Sequence, residues 1–260
     1  MQGEALTSTT DLDPADFYTG IVAELYRPLR AFSPEPGPYA AFIKEAGGPA
    51  LELGCGDGDP LLELCRRGLE VDGVDSSADM LDRLGRRARE YGVRATVFHQ
   101  RMESLKLSRR YRAIFLAGPT FTLLPDDDAA LASLRGIRAH LAEDGTALVP
   151  LFVPTLTRLE EIGRVRTAVG PDGAELRVSV LAEERDEAAR TQTALLRYER
   201  HHGEDHSVEE RPWILHWYSR SDFQALAAAA GLVVTAVTDA HGAPAPASAS
   251  DLNFRLKAAA

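Results

Sequence analysis

Residues 50–60 read Ala-Leu-Glu-Leu-Gly-Cys-Gly-Asp-Gly-Asp-Pro, and the rest of the chain is arranged around them. Residues 50–53 are a short apolar run of the kind that forms a buried strand. Gly54, Gly56 and Gly58 follow as a tight loop where backbone can touch a ligand, because no Cβ stands in the way. Asp59 and Pro60 then open a helix, Asp as its N-cap and Pro at its first position. Strand, glycine loop and helix form the nucleotide-binding start of a doubly wound α/β domain.

The loop narrows the choice of ligand. A dinucleotide fingerprint needs Gly-x-Gly-x-x-Gly, and here the third glycine comes one residue early, with Asp59 in its place. The Gly-Lys-Ser/Thr of a P-loop does not occur. Glu52, Asp57 and Asp59 crowd acid around the loop, which disfavours a pyrophosphate at the helix N-terminus. A cationic adenosine derivative without phosphate, S-adenosylmethionine (SAM), suits it better. Residues 70–74 read as the next strand, and Asp75 stands at its end, about 20 residues past the loop, placed to accept hydrogen bonds from ribose hydroxyls.

These stretches, Leu51-Glu-Leu-Gly-Cys-Gly-Asp-Gly58 and Val71-Asp-Gly-Val-Asp-Ser-Ser-Ala-Asp-Met-Leu81, resemble the class I SAM-dependent methyltransferases. The resemblance implies an α/β fold with a Rossmann-like seven-stranded sheet and SAM as cofactor. It implies cofactor contacts from Glu52, Gly54, Cys55, Gly56 and Gly58 in and before the loop, and from Asp75, Ser76 and Met80 after it. Arg101, Met102 and Glu103 would flank the adenine, with backbone near Ala117 on the methionine ammonium. Phe121 and Leu123 would approach the methyl group from the substrate side. Some relatives, amino-sugar N-methyltransferases among them, carry a histidine where this chain has Leu123, so no base is assigned there. N-terminal helices of this family lie over the cofactor and carry a tyrosine into the site; Tyr18 and Tyr26 are the candidates, each read equally well as core packing.

Bulk properties bound the rest. A chain of 260 residues buries a sizeable core in one domain with an elaboration. A net charge of −10 argues against nucleic-acid or anionic-membrane partners. Two cysteines make no disulfide framework, and neither a signal pattern nor a membrane-length apolar run is present, so the expectation is a cytoplasmic enzyme with a small-molecule substrate and unknown oligomeric state.

Four segments follow in order. Residues 1–48 form a helical N-terminal part, with a helix starting at Asp13-Pro14 and broken at Arg27-Pro28, a linker over 33–38 and a short helix over 39–45. Residues 49–153 form the SAM-binding core, with helices over 60–67 and 77–91, and another capped by Asp126. Residues 154–218 insert an antiparallel β cap after strand five, with strands over 164–169, 175–183, 191–200 and 213–218. Residues 219–260 return to the sheet through a capping box at Ser219, a strand over 232–237, a loop over 241–250 and a last strand over 252–257.

Alternation in the strand over 213–218 puts Trp213, Leu215 and Trp217 on one face and Ile214, His216 and Tyr218 on the other. His216 and Tyr218 are expected to face the substrate, where polar tips are useful, and with Tyr26 they are the catalytic candidates; Trp217 is a further substrate contact. His201, His202 and His206 read as a solvated turn, and no metal is expected. The function that follows is methyl transfer from SAM to nitrogen or oxygen of a small metabolite. The rivals are a non-methylating reaction on bound SAM, such as cyclisation or decarboxylation, and a non-catalytic SAM-binding protein.

Overall fold

The computed structural model describes residues 14–240 and 242–259. The expected helix start at Asp13 and the loop residue His241 lie outside the described residues. Past a single turn at Pro14–Asp16, the elements run in order: α1 (Gly20–Leu29), α2 (Pro36–Ala46), β1 (Ala50–Leu53), α3 (Leu61–Arg66), β2 (Val71–Asp75), α4 (Ala78–Glu90), β3 (Thr96–His99), β4 (Tyr111–Leu116), α5 (Asp127–His140), β5 (Leu141–Phe152), β6 (Arg166–Val169), β7 (Glu175–Asp186), β8 (Thr191–His202), β9 (Asp205–His216), α6 (Arg220–Ala229), β10 (Leu232–Thr238) and β11 (Asp251–Ala258).

Seven of these strands form one sheet in the order β10-β11-β5-β4-β1-β2-β3, with β11 the antiparallel member. β1 is buried at every position, as a central parallel strand covered on both faces must be. One face packs Leu51, Leu53, Ile114 and Val149 against α5 and α6. The other packs Ala50, Ala113 and Phe115 against α2 and α3. The remaining four strands make a separate antiparallel sheet, β6-β7-β8-β9, whose inner face packs on α1 through Val22, Leu25, Val178 and Tyr198.

Caps fall where side chains demand them. Ser77 accepts from Met80 N, Asp126 accepts from Ala129 N, and Ser219 and Asp222 complete a capping box at α6. Three expectations change. α1 begins only at Gly20 and runs through Pro28, which gives up its own bond to the carbonyl four residues back, and the helix ends one residue later at Leu29. α2 starts inside the expected linker, at Pro36, a residue suited to a first turn. β9 begins at Asp205 and ends at His216, so Trp217 and Tyr218 lie beyond the strand.

Asp59 is not an N-cap. Its carboxylate sits 2.7 Å from Arg27 Nη2, 2.6 Å from Arg30 Nη2 and 2.7 Å from Arg87 Nη2, while Asp57 lies 2.9 Å from Arg27 Nε. These pairs tie α1 and α4 to the glycine loop. Burial alone raises the Asp59 carboxyl, but the Arg87 and Arg30 hydrogen bonds overcome this and hold it below its ordinary range. A depressed folded-state pKa stabilises above the unfolded carboxylate range and loses that effect as pH falls through the folded value. Asp59→Asn is therefore expected to cost about 1–3 kcal/mol at neutral pH. The gap to the parent should shrink as urea unfolding is repeated from pH 6 towards pH 3; a pH-independent gap would remove the ionic explanation.

Candidate cofactor and acceptor site

The site begins with the chain's exit from β1. Gly54 N and Cys55 N both donate to Val74 O, at 2.8 and 3.0 Å, which pins the loop to the end of β2. Gly54 has φ +71°, and a Cβ there would come 2.6 Å from Thr120 Cγ2, so only glycine fits between loop and wall. Asp75 completes the frame: Oδ2 accepts from Gly56 N at 2.7 Å and Oδ1 accepts from Ser77 N at 2.9 Å. Burial raises its carboxyl above the ordinary range against the pull of those two amides. Ser77 Oγ in turn donates to Tyr18 O at 2.6 Å, so the N-terminal segment hangs on the start of α4.

Together these elements enclose a narrow cavity of about 110 Å³. Gly54, Gly56, Asp75 and Ser76 form its floor, and Met80, Met102 and Leu124 supply apolar wall. Gln100 and Glu103 add polar atoms, and Tyr18 and Tyr26 close it from the N-terminal side. The lining holds the carboxylates of Asp75 and Glu103 and no Lys or Arg. That donor set fits a cationic, phosphate-free nucleoside: the carboxylate at the end of β2 suits a ribose diol, and the methionines suit an adenine face.

A second cavity, of about 480 Å³, opens beside the first and shares Tyr18, Tyr26, Thr120 and Leu123 with it. Its walls come from α1 (Val22, Leu25, Leu29), from Ala117 and Phe152, and from the inner face of the antiparallel sheet (Val178, Leu196, Tyr198, Trp213). The four shared residues form the junction between the two cavities.

Several sequence candidates stand elsewhere. Glu52 is fully buried with both carboxylate oxygens unpartnered; burial, then Asp75 and Asp59, push its carboxyl well above the usual range. Cys55 packs its sulfur against Gly73, and Gly58 sits against Leu62 and Leu84. Arg101 pairs with Asp16 and Glu103 while its neighbours Gln100 and Met102 line the cavity. Phe121 lies in the main core against Tyr218 and Phe223. The acids expected to repel an anion, Asp57 and Asp59, are turned to arginines instead; Asp75 and Glu103 give the smaller cavity its acidity.

The last cap strand faces the opposite way to the expectation. Register pairs Ala194 with Trp213 and Gln192 with Leu215, and Trp213 and Leu215 line the larger cavity. His216 and Tyr218 line neither cavity; Tyr218 Oη and His216 Nδ1 lie 2.8 Å apart inside the protein. Period-2 alternation separates Trp213 and Leu215 from His216 within the strand but carries no information on which face meets the core. Trp217 lies under the Arg185 guanidinium, outside both cavities. His201 and His206 face each other across β8 and β9, with rings 4.3 Å apart, and Glu199 brings a third ligand atom within 4.8 Å; His202 is not part of the group, and none of the three lines either cavity.

Thr120 and Leu124 were not assigned from sequence, and neither were the larger cavity's charged residues. Thr120 carried one signal, its place just past a parallel strand's carboxyl end. Arg166 and Glu183 carried none, because they reach the cavity through strand pairing.

Two measurements separate these roles. Asp75→Asn should weaken SAM binding by about 1–3 kcal/mol, seen by calorimetry on a folded variant; unchanged affinity would contradict a ribose contact. Tyr218→Phe should lower unfolding free energy by about 1 kcal/mol and leave SAM affinity and acceptor KM unchanged; a changed KM would return this pair to the site.

A model of the methyltransferase domain matches residues 50–145. The cypemycin N-terminal methyltransferase of a Streptomyces sp is 31% identical over 108 residues, 42% of this chain and 43% of that protein. The dTDP-3-amino-3,6-dideoxy-alpha-D-glucopyranose N,N-dimethyltransferase of Streptomyces fradiae is 28% identical over 156 residues, 56% of this chain and 60% of that one. The chain thus spans roughly half the length of the curated relatives it matches. The CcbJ methyltransferase of Streptomyces caelestis has a similar structure, with a TM-score of 0.74 and 25% identity, covering 97% of this chain and 100% of that one. With the glycine loop, the acid closing β2 and the seven-stranded sheet, these matches identify residues 50–145 as a methyltransferase domain of the class I SAM-dependent kind, with SAM as its cofactor.

Proposed function

We propose that the chain transfers the methyl group of SAM to an amine nitrogen of a small organic acceptor held in the larger cavity. The observation that carries this reading is the junction: Tyr18, Tyr26, Thr120 and Leu123 border both cavities, and none of them is a general base at neutral pH. Burial raises the Tyr18 phenol far above its ordinary value, with Tyr26 and Tyr198 adding to the shift. Burial likewise raises Tyr26, ahead of the Asp57 charge. Both phenols stay neutral, able to orient a lone pair and unable to strip a hydroxyl proton. A neutral amine needs no such help. The two curated relatives are named for N-terminal and N,N-dimethyl transfer, which supports nitrogen as the acceptor atom.

SAM supplies an activated methyl group. The protein's part is to align an acceptor lone pair behind it and to exclude water. The N-terminal segment does the excluding, since Tyr18 and Tyr26 stand edge to face, with ring centroids 5.5 Å apart, over the junction.

The test is a screen for S-adenosylhomocysteine release with paired amines and alcohols. Turnover is expected with amines. Because neither junction phenol titrates near neutral pH, the rising limb of the pH–rate profile should follow the acceptor's own amine pKa and move when a less basic amine is used. Methylation of alcohols alone, or SAM bound and never consumed, would sink the reading.

A further inference from the structure

The larger cavity is apolar along its length but charged at two places. Arg164 and Arg166 stand on its rim, exposed, and neither guanidinium makes a hydrogen bond or a close ion pair among the described residues, although the Arg164 charge is felt by Glu161. Arg30, the other cation of the lining, is already matched by Asp59 at 2.6 Å. Glu183 is the lining's carboxylate. It accepts from Thr157 N at 2.5 Å and from Gln192 Nε2 at 3.1 Å, one bond to each oxygen, and pairs with no cation among the described residues.

Register shows that these groups share one face. Arg166 pairs with Val178 and Val178 with Tyr198, both cavity residues. Glu183 pairs with Ala194 and Ala194 with Trp213, also cavity residues. Val178 and Glu183 are five apart in sequence, an odd spacing that normally puts side chains on opposite faces. The register shift between Val180 and Ala182 inserts one extra residue and brings Glu183 round to the inside. Four effective strand steps separate the two rows, about 13 Å at roughly 3.3 Å per residue. The Glu183 end is the one nearer the junction, since the next inward row, Gln192 and Leu215, leads into the strand end that packs against the turn at Thr120–Leu123.

We infer that the acceptor is a two-ended molecule, with a nitrogen-bearing end held by Glu183 and an anionic phosphate or carboxylate end held by Arg166, about 13 Å away, with Arg164 beside it on the same rim, opposite Val180. This rests on the proposed acceptor role of the cavity. The physical case is uncompensated charge: a half-buried carboxylate without a cation prefers an N–H donor, and two unpaired guanidiniums present forks that match an anion bidentately. The apolar wall between them selects for a hydrophobic or flat middle.

Calorimetry of the full chain at low ionic strength, with S-adenosylhomocysteine present, tests this with 8-aminooctyl phosphate, octylamine and octyl phosphate as probes. The two-ended probe should bind tighter than either one-ended probe by about tenfold or more. The double variant Arg164→Gln, Arg166→Gln should reduce it to the affinity of octylamine and leave octylamine itself unchanged. Glu183→Gln, whose remaining carbonyl oxygen can still accept from Thr157 N, should do the converse. With 9-aminononanoate in place of the phosphate, equal binding identifies a general anion site, and weaker but still two-ended binding identifies phosphate preference. One-ended probes that bind as tightly as the two-ended one, or variants that leave all affinities unchanged, would overturn the inference. SAM affinity measured on the same variants keeps this result separate from the methyl-transfer reading, since binding of the probes requires no turnover.

Discussion

One buried carboxylate holds the cofactor side together. Asp75 closes β2, and its two oxygens take Gly56 N at 2.7 Å and Ser77 N at 2.9 Å. The first bond fixes the glycine loop; the second fixes the turn into α4. Neither amide has another partner in the loop, so the carboxylate satisfies donors that would otherwise be orphaned in a buried place. Its second lone pairs remain available at the cavity floor. The same atoms that hold the loop therefore define where a ribose can sit, and the loop's shape and its ligand chemistry are one constraint.

The N-terminal segment depends on that frame without being continuous with it. Arg27 and Arg30 reach Asp57 and Asp59 from α1, Ser77 holds Tyr18 O, and Gly20 N donates to Asp79 Oδ2 at 2.7 Å. From the other side, Arg211 of β9 donates to Phe17 O at 3.1 Å and to Thr19 Oγ1 at 2.9 Å. Tyr18 and Tyr26 are thus positioned jointly by the cofactor loop and by the antiparallel sheet. Individual exposed ion pairs contribute little, but several partly buried arginines converging on two carboxylates set an orientation that one pair would not.

The cofactor half was legible because its signals are local. The glycine loop and Asp75 meet across a single strand–loop–helix–strand run, 19 residues apart, while the cap at Asp126 and the box at Ser219 act within three residues of their own positions, and each lies where sequence spacing put it. The errors have a common cause. Asp59 looks like a cap until arginines from α1 and α4, about 30 residues away on either side, arrive to claim it. Arg101 and Phe121 stand beside residues that do line the cavities, and a motif cannot say which of two neighbours turns inward. His216 and Tyr218 looked more useful in a site than Trp213, but the core took the pair whose polar atoms satisfy each other.

The acceptor half resisted reading for a deeper reason. Its inner face is set by register, and register is not a property of one strand. The extra residue at Leu181 separates two alternation patterns within β7, so Val178 and Glu183 face the same way although their spacing is odd. Any inspection of β7 alone assigns one of them to solvent. The same feature explains how cap and core divide their work. Every residue of the smaller cavity comes from before Pro125, whereas Glu183, Ala194 and Trp213 reach the larger one only through pairings inside the second sheet. A substitution or one-residue change in β7 can therefore rewrite which charges line the larger cavity while the Asp75 frame, about a hundred residues earlier in the chain and held by its own amides, stays as it is.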